Sequence, residues 1–445
     1  MSMFRQYDIR GIVDTDLTEE KAEKIGKAIG TYMPGTILIG KDNRIHGKRI
    51  RDFFVKGLLS TGCDVVDFGI VTSPILYFSS LKYKNSGAVM ITASHNPKEY
   101  NGFKIIKNGK AIFGEEIQKL KRLSDGNDFN CGQGNLRFQN ALKDYTEFIL
   151  NKTNIKKKLK VVVDCGNGTA SGINPEILNS LGCEIIKLYC ESDGNFPNHE
   201  PDPVVEENLQ ELIETVKFNN ADLGIAFDGD GDRLGMVDEK GNIIPGDKIL
   251  IILARKFLQK DPNKKIIYEV KCSKTLKDEI TKCHGIPIMY KTGHSFIKKK
   301  MQEEDAILAG EMSGHFFFKE IGFFDDALFA ACKLLEIISE SGKKVSELLD
   351  GVPKTYVTPE IRWPCPDNFK EKVIDELHFK FVKYNPLTID GIRIEFEDGW
   401  GLVRASNTQP ALVLRFEADS QERMNEIKSM IEREVKNVTS NTLDG

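Results

Sequence analysis

The chain has 445 residues, of which 40% are hydrophobic and 29% charged, and 62 basic against 66 acidic residues leave a formal net charge of −4. This composition is typical of a soluble globular protein, and at roughly 100–200 residues per domain the length predicts two to four domains. The near-neutral balance argues against a nucleic-acid partner, and no apolar run approaches the ~18–20 residues of a membrane span.

The cysteines and the N-terminal residues indicate in which cellular compartment the protein is expected. The nine cysteines are spaced singly with no C-x-x-C pair, which predicts neither a disulfide framework nor a zinc site. The first residues lack the apolar stretch of a secretory signal. We therefore expect a cytoplasmic protein that does not bind membranes.

Three segments share one pattern of a short apolar strand, a helix and a second strand, at residues 36–66, 160–186 and 266–289. A glycine closes each predicted helix, where the C-cap favours positive φ: Gly62, Gly182 and Gly285. Units of this kind join parallel strands by crossover helices. The repeat therefore predicts three similar α/β domains.

The pattern changes after the third unit. Segment 351–366 holds four prolines and is predicted to be an irregular linker. A helix, three strands and a closing helix from about residue 420 follow, and they predict a smaller α+β domain. The four predicted domains cover residues 1–141, 142–241, 242–353 and 354–445.

The densest functional signal is the run Asp228-Gly229-Asp230-Gly231-Asp232-Arg233, directly after an apolar strand at 223–227. Ligands of α/β proteins bind at the carboxyl ends of strands. Three carboxylates at alternate positions, separated by flexible glycines, can converge on one hard cation, so the run predicts a Mg²⁺ site. A calcium EF-hand is excluded because Arg233 stands where that loop needs glycine.

A second polar loop, Thr92–Pro97, follows an apolar strand and contains Ser94 and His95, with Lys104 a little further on. A hydroxyl becomes a good nucleophile only when a base or a metal lowers its proton affinity. The spacing alone is equally compatible with an Asn-Pro turn capped by serine. A Ser-His-Asp hydrolase is disfavoured because the G-x-S-x-G elbow is absent.

Two further loops carry groups suited to a sugar phosphate. The first could hydrogen-bond sugar hydroxyls, although an ordinary structural loop remains the default; its polar residues are Glu311, Ser313 and His315. The second combines a guanidinium with neutral donors, which suits a phosphate monoester and equally an ordinary polar turn; its residues are Arg404, Ser406, Asn407 and Thr408. The glycine-rich loop at 166–172 does not match a dinucleotide fingerprint, and no P-loop motif occurs.

With these four loops in this order, the sequence resembles the α-D-phosphohexomutase family, and most closely its bifunctional phosphomannomutase/phosphoglucomutase group. The similarity covers essentially the whole chain, from Tyr7-Asp8-Ile9-Arg10-Gly11 to Arg404–Arg415. The resemblance implies three similar α/β domains with mixed sheets and crossover helices, plus a smaller C-terminal α+β domain, around a central cleft.

The resemblance also implies an activity and a set of roles. The enzyme would interconvert hexose 1-phosphates and 6-phosphates through a phosphoserine and a 1,6-bisphosphate, with one Mg²⁺ per chain and glucose 1,6-bisphosphate as activator and intermediate. The implied metal ligands are Ser94, Asp228, Asp230 and Asp232. The implied catalytic residues are Ser94, His95, Lys104, Arg10 and Arg233. The implied substrate-binding residues are Tyr7, Lys271, His294, Glu311, Ser313, His315, Arg404, Ser406, Asn407, Thr408 and Arg415.

The substrate and the assembly state also follow from the resemblance. At the position of Met312 the sequence resembles the mannose/glucose group of the family, whereas phosphoglucosamine mutases usually carry glutamine there. The implied partners are therefore mannose and glucose phosphates, and the implied assembly is a monomer or a weak homodimer. The alternatives are a phosphoglucosamine mutase, a metal-dependent sugar phosphatase and a non-catalytic sugar-phosphate sensor.

Overall fold

Four β-sheets with flanking helices form the framework of the protein in the computed structural model, which describes residues 3–406 and 409–444, with side chains up to residue 440. The first sheet has seven strands: β1 (Ile9–Ile12), β2 (Thr36–Lys41), β3 (Asp64–Ile70), β4 (Gly87–Ile91), β5 (Tyr100–Lys107), β6 (Lys110–Ala111) and β7 (Leu136–Phe138). The helices of this part are α1 (Glu19–Tyr32), α2 (Gly47–Leu59), α3 (Ser73–Lys82) and α4 (Glu115–Gly126).

The second and third sheets have five strands each. The second part contains α5 (Leu142–Lys152), β8 (Lys160–Asp164), α6 (Asn174–Ser180), β9 (Glu184–Leu188), α7 (Gln210–Asn219), β10 (Leu223–Phe227), β11 (Leu234–Asp238) and β12 (Ile243–Ile244). The third contains α8 (Gly246–Lys260), β13 (Lys265–Glu269), α9 (Lys274–Lys282), β14 (Ile286–Tyr290), α10 (His294–Glu304), β15 (Leu308–Gly310), β16 (Phe316–Phe318), β17 (Phe324–Asp325) and α11 (Ala327–Ser341). Strand β12 lies just beyond residue 241, and the domain borders at 141, 241 and 353 stay predictions.

One strand order recurs in these three sheets. In each, the first strand of a unit pairs in parallel with the second and third, and the third pairs antiparallel with a fourth. The four strands are β2, β3, β4 and β5 in the first sheet, β8, β9, β10 and β11 in the second, and β13, β14, β15 and β16 in the third. The predicted repeat and the mixed sheets are therefore confirmed.

The repeat decides where the polar loops lie. In every unit the third strand, buried along its whole length, leads into one of them. Strand β4 leads to the Ser94 loop, β10 to the aspartate loop and β15 to the loop at 311–315. The three loops therefore occupy equivalent positions at the ends of three sheets, which agrees with the central cleft that the resemblance implies.

The C-terminal part is an α+β domain built on an antiparallel sheet. Its elements are β18 (Tyr356–Val357), β19 (Ile361–Pro364), α12 (Lys370–Phe381), β20 (Ile392–Phe396), β21 (Gly399–Ala405), β22 (Ala411–Ala418) and α13 (Gln421–Asp444). The prediction of an irregular linker at 351–366 is wrong in part, because β18 and β19 both pair with β22. Pro364 ends β19 at the sheet edge, where its missing N–H costs no ladder bond. The apolar face of α13 packs on this sheet through Met424, Ile427, Ile431 and Val435.

Candidate active site

The loop between β10 and β11 brings three carboxylates together. Asp228, Asp230 and Asp232 are fully buried, and one oxygen of each lies within 4.8 Å of the others. The backbone N–H groups of Asp232 and Arg233 both donate to Asp228 Oδ1 at 3.0 Å, which fixes the turn. Gly229 is required in this loop because a Cβ there would lie 2.5 Å from the carbonyl oxygen of Ser94.

Ser94 lies directly against these carboxylates. Its hydroxyl donates to Asp228 Oδ2 at 2.7 Å and lies 3.3 Å from His95 Nδ1. The Ser94 backbone has a φ of 53°, an uncommon value for serine, and its N–H donates to Thr92 Oγ1 at 2.8 Å. This conformation points the hydroxyl from the first domain into the loop of the second.

Two residues that the sequence interpretation missed hold the Ser94 loop in place. The buried guanidinium of Arg44 donates to the carbonyl oxygens of Ser94 at 2.8 Å and Pro97 at 2.6 Å. Asp42 accepts from the N–H and the Nε of Arg44, at 3.1 and 3.2 Å. Their position directly after β2, at the same sheet edge as Ser94, is the signal that could have identified them.

Lys104 on β5 contributes positive charge, and with Ser94 and the three aspartates it completes what we call the Ser94 cluster. Its Nζ donates to Oδ2 of both Asp230 and Asp232 at 2.6 Å. Burial opposes the charge on Lys104, but these two carboxylates outweigh it and hold the pKa well above its usual range. Burial, followed by repulsion from Asp230 and Asp232, raises the pKa of Asp228. The charge of Lys104 therefore does not neutralise the three neighbouring carboxylates by itself.

The Ser94 cluster fits a divalent cation. The Oδ1 atoms of Asp230 and Asp232 are buried and have no hydrogen-bond partner among the described residues. A buried acceptor left without a partner costs free energy, which a bound cation would recover. Mg²⁺ prefers hard oxygen ligands of this kind, and the carboxylates of all three aspartates and the Ser94 hydroxyl supply them.

Arg233 and two histidines lie beside the cluster. Arg233 Nε donates to His315 Nε2 at 3.1 Å, and its Nη2 lies 3.5 Å from His95 Nε2. A His315 that accepts at Nε2 carries its proton on Nδ1, which lies 2.9 Å from Asp325 Oδ2. Burial and then the charge of Arg233 lower the pKa of His95, which favours its neutral form.

Arg10 and Tyr7 reach the cleft from the first domain. Arg10 donates to the side chain of Asn96, in the Ser94 loop, and to Asp8 Oδ2 at 2.5 Å. The Tyr7 hydroxyl donates to the carbonyl oxygen of Thr292 at 2.8 Å. Tyr7 therefore connects the first domain to the third.

A second group of predicted site residues lies where the third and fourth domains meet. We call Lys271, Arg404 and Arg415 the cationic cluster. Lys271 Nζ donates to Glu360 Oε1 at 2.6 Å, and Arg404 Nε donates to Asp390 Oδ2 at 2.8 Å. The charge of Lys271, against the opposing effect of burial, lowers the pKa of Glu360 to about 2, and Arg415 adds to this effect. Glu360 and Asp390 are further residues that the sequence interpretation missed.

The loop at 311–315 lies between the two clusters. On one side His315 Nδ1 lies 3.6 Å from Asp232 Oδ1, and on the other the Met312 N–H donates to Glu269 Oε1, which lies 3.5 Å from Lys271 Nζ. Glu311 Oε1 accepts from the N–H of Gly293 at 2.6 Å, and its buried Oε2 lacks a partner within residues 3–406 and 409–440. Burial, followed by repulsion from Glu269, raises the pKa of Glu311 to about 7. Ser313 is half-buried in the same turn.

The remaining predicted residues extend this arrangement. The ring of His294 stacks on that of His315 at 5.5 Å between centroids. Ser406 is buried after β21, and its hydroxyl accepts from the N–H of Gln409 at 3.1 Å. Asn407 and Thr408 lie outside the described residues.

Comparison with known proteins places the chain in a family. Residues 1–130, 143–241 and 245–356 match the three alpha/beta/alpha domains of phosphoglucomutase/phosphomannomutase, and residues 360–434 match its C-terminal domain. The chain belongs to this family. Within it, the chain is 45% identical to "Phosphomannomutase/phosphoglucomutase" from Pseudomonas aeruginosa, covering 99% of this chain and 96% of that protein.

Other relatives agree with this family assignment. The chain is 43% identical to "Phosphoglucomutase" from Neisseria gonorrhoeae, with 97% of this chain and 96% of the relative covered. A solved phosphoglucomutase/phosphomannomutase family protein from Burkholderia thailandensis superimposes with a TM-score of 0.93 at 40% identity, covering 98% of this chain and 97% of that one. In the described ranges no helix has both the length and the apolarity needed to cross a membrane.

Proposed function

We propose that this chain is a Mg²⁺-dependent phosphohexomutase that interconverts the 1-phosphates and 6-phosphates of mannose and glucose. One observation carries the proposal: a buried serine hydroxyl donates to a carboxylate inside a cluster of three aspartates with unpartnered oxygens. A sugar-phosphate sensor has no need of such a hydroxyl. Relatives named phosphomannomutase and phosphoglucomutase, at 39–45% identity, support the same activity.

In this proposal Ser94 carries the phosphoryl group. Phosphoryl transfer depends mainly on positioning and on neutralising charge. Mg²⁺ bound by Ser94, Asp228, Asp230 and Asp232 supplies charge neutralisation at the transferred group. Lys104 and Arg233 add fixed positive charge on either side, and Arg10 and His95 supply further contacts around it.

The cycle uses both ends of the cleft. The phosphoryl group leaves the Ser94 oxygen and bonds to the oxygen of the free hydroxyl of a hexose monophosphate, whose proton passes to the Ser94 oxygen, and the product is a 1,6-bisphosphate. The bisphosphate then reorients in the cleft so that its other phosphate faces Ser94, and that phosphate is transferred to Ser94. Glucose 1,6-bisphosphate would therefore serve both as intermediate and as the activator that restores phosphoserine. Throughout the cycle, the phosphate that is not reacting would be held by five residues of the C-terminal domain: Arg404, Ser406, Asn407, Thr408 and Arg415.

Recognition of the sugar falls to the residues between the two clusters. Glu311 offers an unpartnered carboxylate oxygen to a sugar hydroxyl, since no described residue bonds to it. The remaining contacts would come from Ser313, His315, His294, Lys271 and Tyr7. Met312 favours glucose and mannose over glucosamine, because a thioether supplies no strong hydrogen bond to an amino group.

A substrate panel tests this function. Glucose 1-phosphate, mannose 1-phosphate and glucosamine 1-phosphate are each assayed for conversion to the 6-phosphate, with Mg²⁺ and glucose 1,6-bisphosphate present. We expect comparable rates with the first two and little with the third. A preference for glucosamine 1-phosphate would overturn the sugar assignment, and inorganic phosphate released faster than isomerised sugar would indicate a phosphatase.

The location and assembly state of the enzyme are separate proposals. We propose a cytoplasmic enzyme that is a monomer or a weak homodimer, with hexose phosphates as its only partners. Sedimentation at increasing protein concentration tests the assembly, and a tight higher oligomer would contradict it.

A further inference from the structure

Two thiols meet at one edge of the second sheet. Cys165 directly follows β8, and Cys190 follows β9, the parallel neighbour of β8. The Cys165 N–H donates to the carbonyl oxygen of Leu188 at 3.2 Å, and the two Sγ atoms lie 3.5 Å apart. In the described part of the chain, none of the other seven cysteines has a second sulfur within hydrogen-bond distance.

We infer that Cys165 and Cys190 form a reversible disulfide when a hydroperoxide oxidises Cys190. Asp164 of β8 pairs with Leu188 of β9, so the two thiols follow adjacent strand ends, and their sulfurs already lie 3.5 Å apart. The sulfurs must therefore close from 3.5 Å to about 2.05 Å, which side-chain rotation and a small loop shift can supply.

The two thiols differ in a way that assigns their roles. Cys190 is partly exposed, whereas Cys165 is fully buried. The hydrogen bond between the two thiols lowers the pKa of Cys190, while burial raises the pKa of Cys165 well above its usual range. Cys190 is therefore the thiol that meets the oxidant, and Cys165 is the one that resolves it.

The chemistry balances in two steps. The Cys190 thiolate attacks a peroxide oxygen, the O–O bond breaks, and Cys190 becomes a sulfenic acid while the peroxide leaves as an alcohol, or as water from hydrogen peroxide. Cys165 then attacks the Cys190 sulfur, its proton goes to the departing hydroxyl, and water leaves. Two thiols are oxidised, and one hydroperoxide is reduced.

The chain segments that follow both cysteines hold the first domain. Asn43 Nδ2 donates to the carbonyl oxygen of Asn167 at 2.7 Å and to the hydroxyl of Ser192 at 2.9 Å. Gly194 forms a parallel bridge with Arg44, and the Phe196 ring lies 5.2 Å from the Arg44 guanidinium.

Closure of the disulfide therefore acts on Ser94. Arg44 is the side chain that holds the Ser94 carbonyl. A shift of the segment from Cys190 to Phe196 moves the support of Arg44, and with it the Ser94 loop. Because a displacement of about 1 Å at a reacting group can cost 10²-fold in rate, we expect oxidation to slow turnover.

Peptide mapping tests the bond itself. The reduced full chain is treated with stoichiometric hydrogen peroxide and digested without reductant. We expect a cross-linked peptide pair containing Cys165 and Cys190, lighter by two hydrogen atoms and separated again by dithiothreitol. Cys165→Ser should instead leave a Cys190 sulfenic acid that dimedone traps. The matched control is Cys131→Ser, which removes an exposed cysteine and should leave the cross-link unchanged. No cross-link, or Cys190 found only as sulfinic acid, would overturn the inference.

An assay of mutase turnover tests the expected effect of the disulfide on Ser94. This effect rests on the proposed function, whereas the formation of the disulfide does not. The cross-linked chain should lose at least about tenfold in kcat and recover with dithiothreitol. Cys190→Ser, or Cys190→Ala if the serine variant does not fold, should keep its turnover through the same treatment. A cross-linked chain with full turnover would overturn the coupling to Ser94. A reduced chain without mutase activity would count against the proposed function and not against the disulfide.

Discussion

The Ser94 cluster and the cationic cluster leave opposite charges unmatched. In the first, the Oδ1 atoms of Asp230 and Asp232 accept no hydrogen bond from any described residue. In the second, the buried Nε of Arg415 donates no hydrogen bond to any described residue, and Lys271 donates to the carboxylate of Glu360. We therefore expect the first cluster to bind a cation, and the second to exchange its carboxylate partners for an anion.

The two clusters also differ in how they are held. Backbone hydrogen bonds fix the aspartate loop, and the guanidinium of Arg44 holds the Ser94 loop by its carbonyl oxygens. Lys271 and Arg404 are held instead by side-chain ion pairs with Glu360 and Asp390. A rigid backbone positions groups for the transition state, whereas exchangeable pairs allow binding and release. Changes in the first cluster should therefore lower kcat, and changes in the second should alter KM.

The largest expected effect comes from Ser94→Ala. Removal of a nucleophile should lower kcat at least about 10⁴-fold in the conversion of glucose 1-phosphate to glucose 6-phosphate. The matched control is Ser73→Ala, which removes a buried hydroxyl that donates to Asp230 Oδ2 at 2.6 Å. We expect the control to lose only about 10- to 100-fold, as is typical when a hydrogen-bond partner of a metal ligand is removed. Equal losses would refute the special role of Ser94.

Metal binding gives the next effect and has a readout apart from activity. Mg²⁺ should raise the melting temperature of the wild-type chain, because a ligand of the native state adds about 2.7 kcal/mol at 100 times its Kd. Asp230→Asn should need at least about 100-fold more Mg²⁺ for the same shift.

Asp325→Asn is the control for the metal site, because Asp232, His315 and Asp325 form a second group with suitable spacing. The melting shift should survive in this variant if the three aspartates of the loop hold the ion. Its loss in Asp325→Asn alone would move the ion to the second group.

Arg404→Lys tests the other side of the comparison. Lysine keeps the charge but loses the planar pair of donors that matches a phosphate, so KM should rise about 10- to 100-fold with little change in kcat. Arg423→Lys is the control, since Arg423 pairs with Asp398 elsewhere in the same domain. A fall in kcat at constant KM would contradict the assignment of Arg404 to substrate binding.

The pH dependence of kcat/KM tests Glu311, whose pKa is raised to about 7. A carboxylate that accepts from a sugar hydroxyl must be ionised, so activity should fall as the pH decreases through this value. Between pH 8 and pH 6 the ionised fraction falls about tenfold, and kcat/KM should follow. Glu311→Gln should lose this dependence while the ionisation of the substrate phosphate remains. An unchanged acid limb in the variant would contradict the role.

Glu360→Gln should give the smallest effect and the opposite sign. The variant weakens the carboxylate partner of Lys271, so a substrate competes more easily for that ammonium. Glutamine still accepts a hydrogen bond from Lys271, so only the competing negative charge is lost, and we expect KM to fall by up to about fivefold, the equivalent of about 1 kcal/mol. Glu304→Gln is the control, because Glu304 pairs with Lys265 in the third domain, which also contains Lys271. A raised KM would show that Glu360 supports binding.

Sequence alone predicts the parts of the site that are local. The three aspartates occupy alternate positions of one loop, so their convergence is set by a few residues of backbone and by the strand that precedes them. The pairs Lys271–Glu360 and Arg44–Ser94 join distant parts of the chain, and only the packing of sheets and domains brings them together. The strands at Tyr356–Val357 and Ile361–Pro364 could not be predicted for a related reason, since their partner residues in β22 lie 47 to 62 positions further along the chain.

The repeated strand order has a practical consequence for redesign. The three loops to which we assign phosphate, cation and sugar contacts are inserted at equivalent places in three copies of one scaffold, each between its own pair of antiparallel strands. The loop at 311–315 is nevertheless joined to the aspartate loop, because Arg233 Nε donates to His315 Nε2 and the Leu234 N–H donates to the carbonyl oxygen of Gly314. An exchanged loop between β15 and β16 must therefore keep His315 and Gly314 if the aspartate loop is to stay in place.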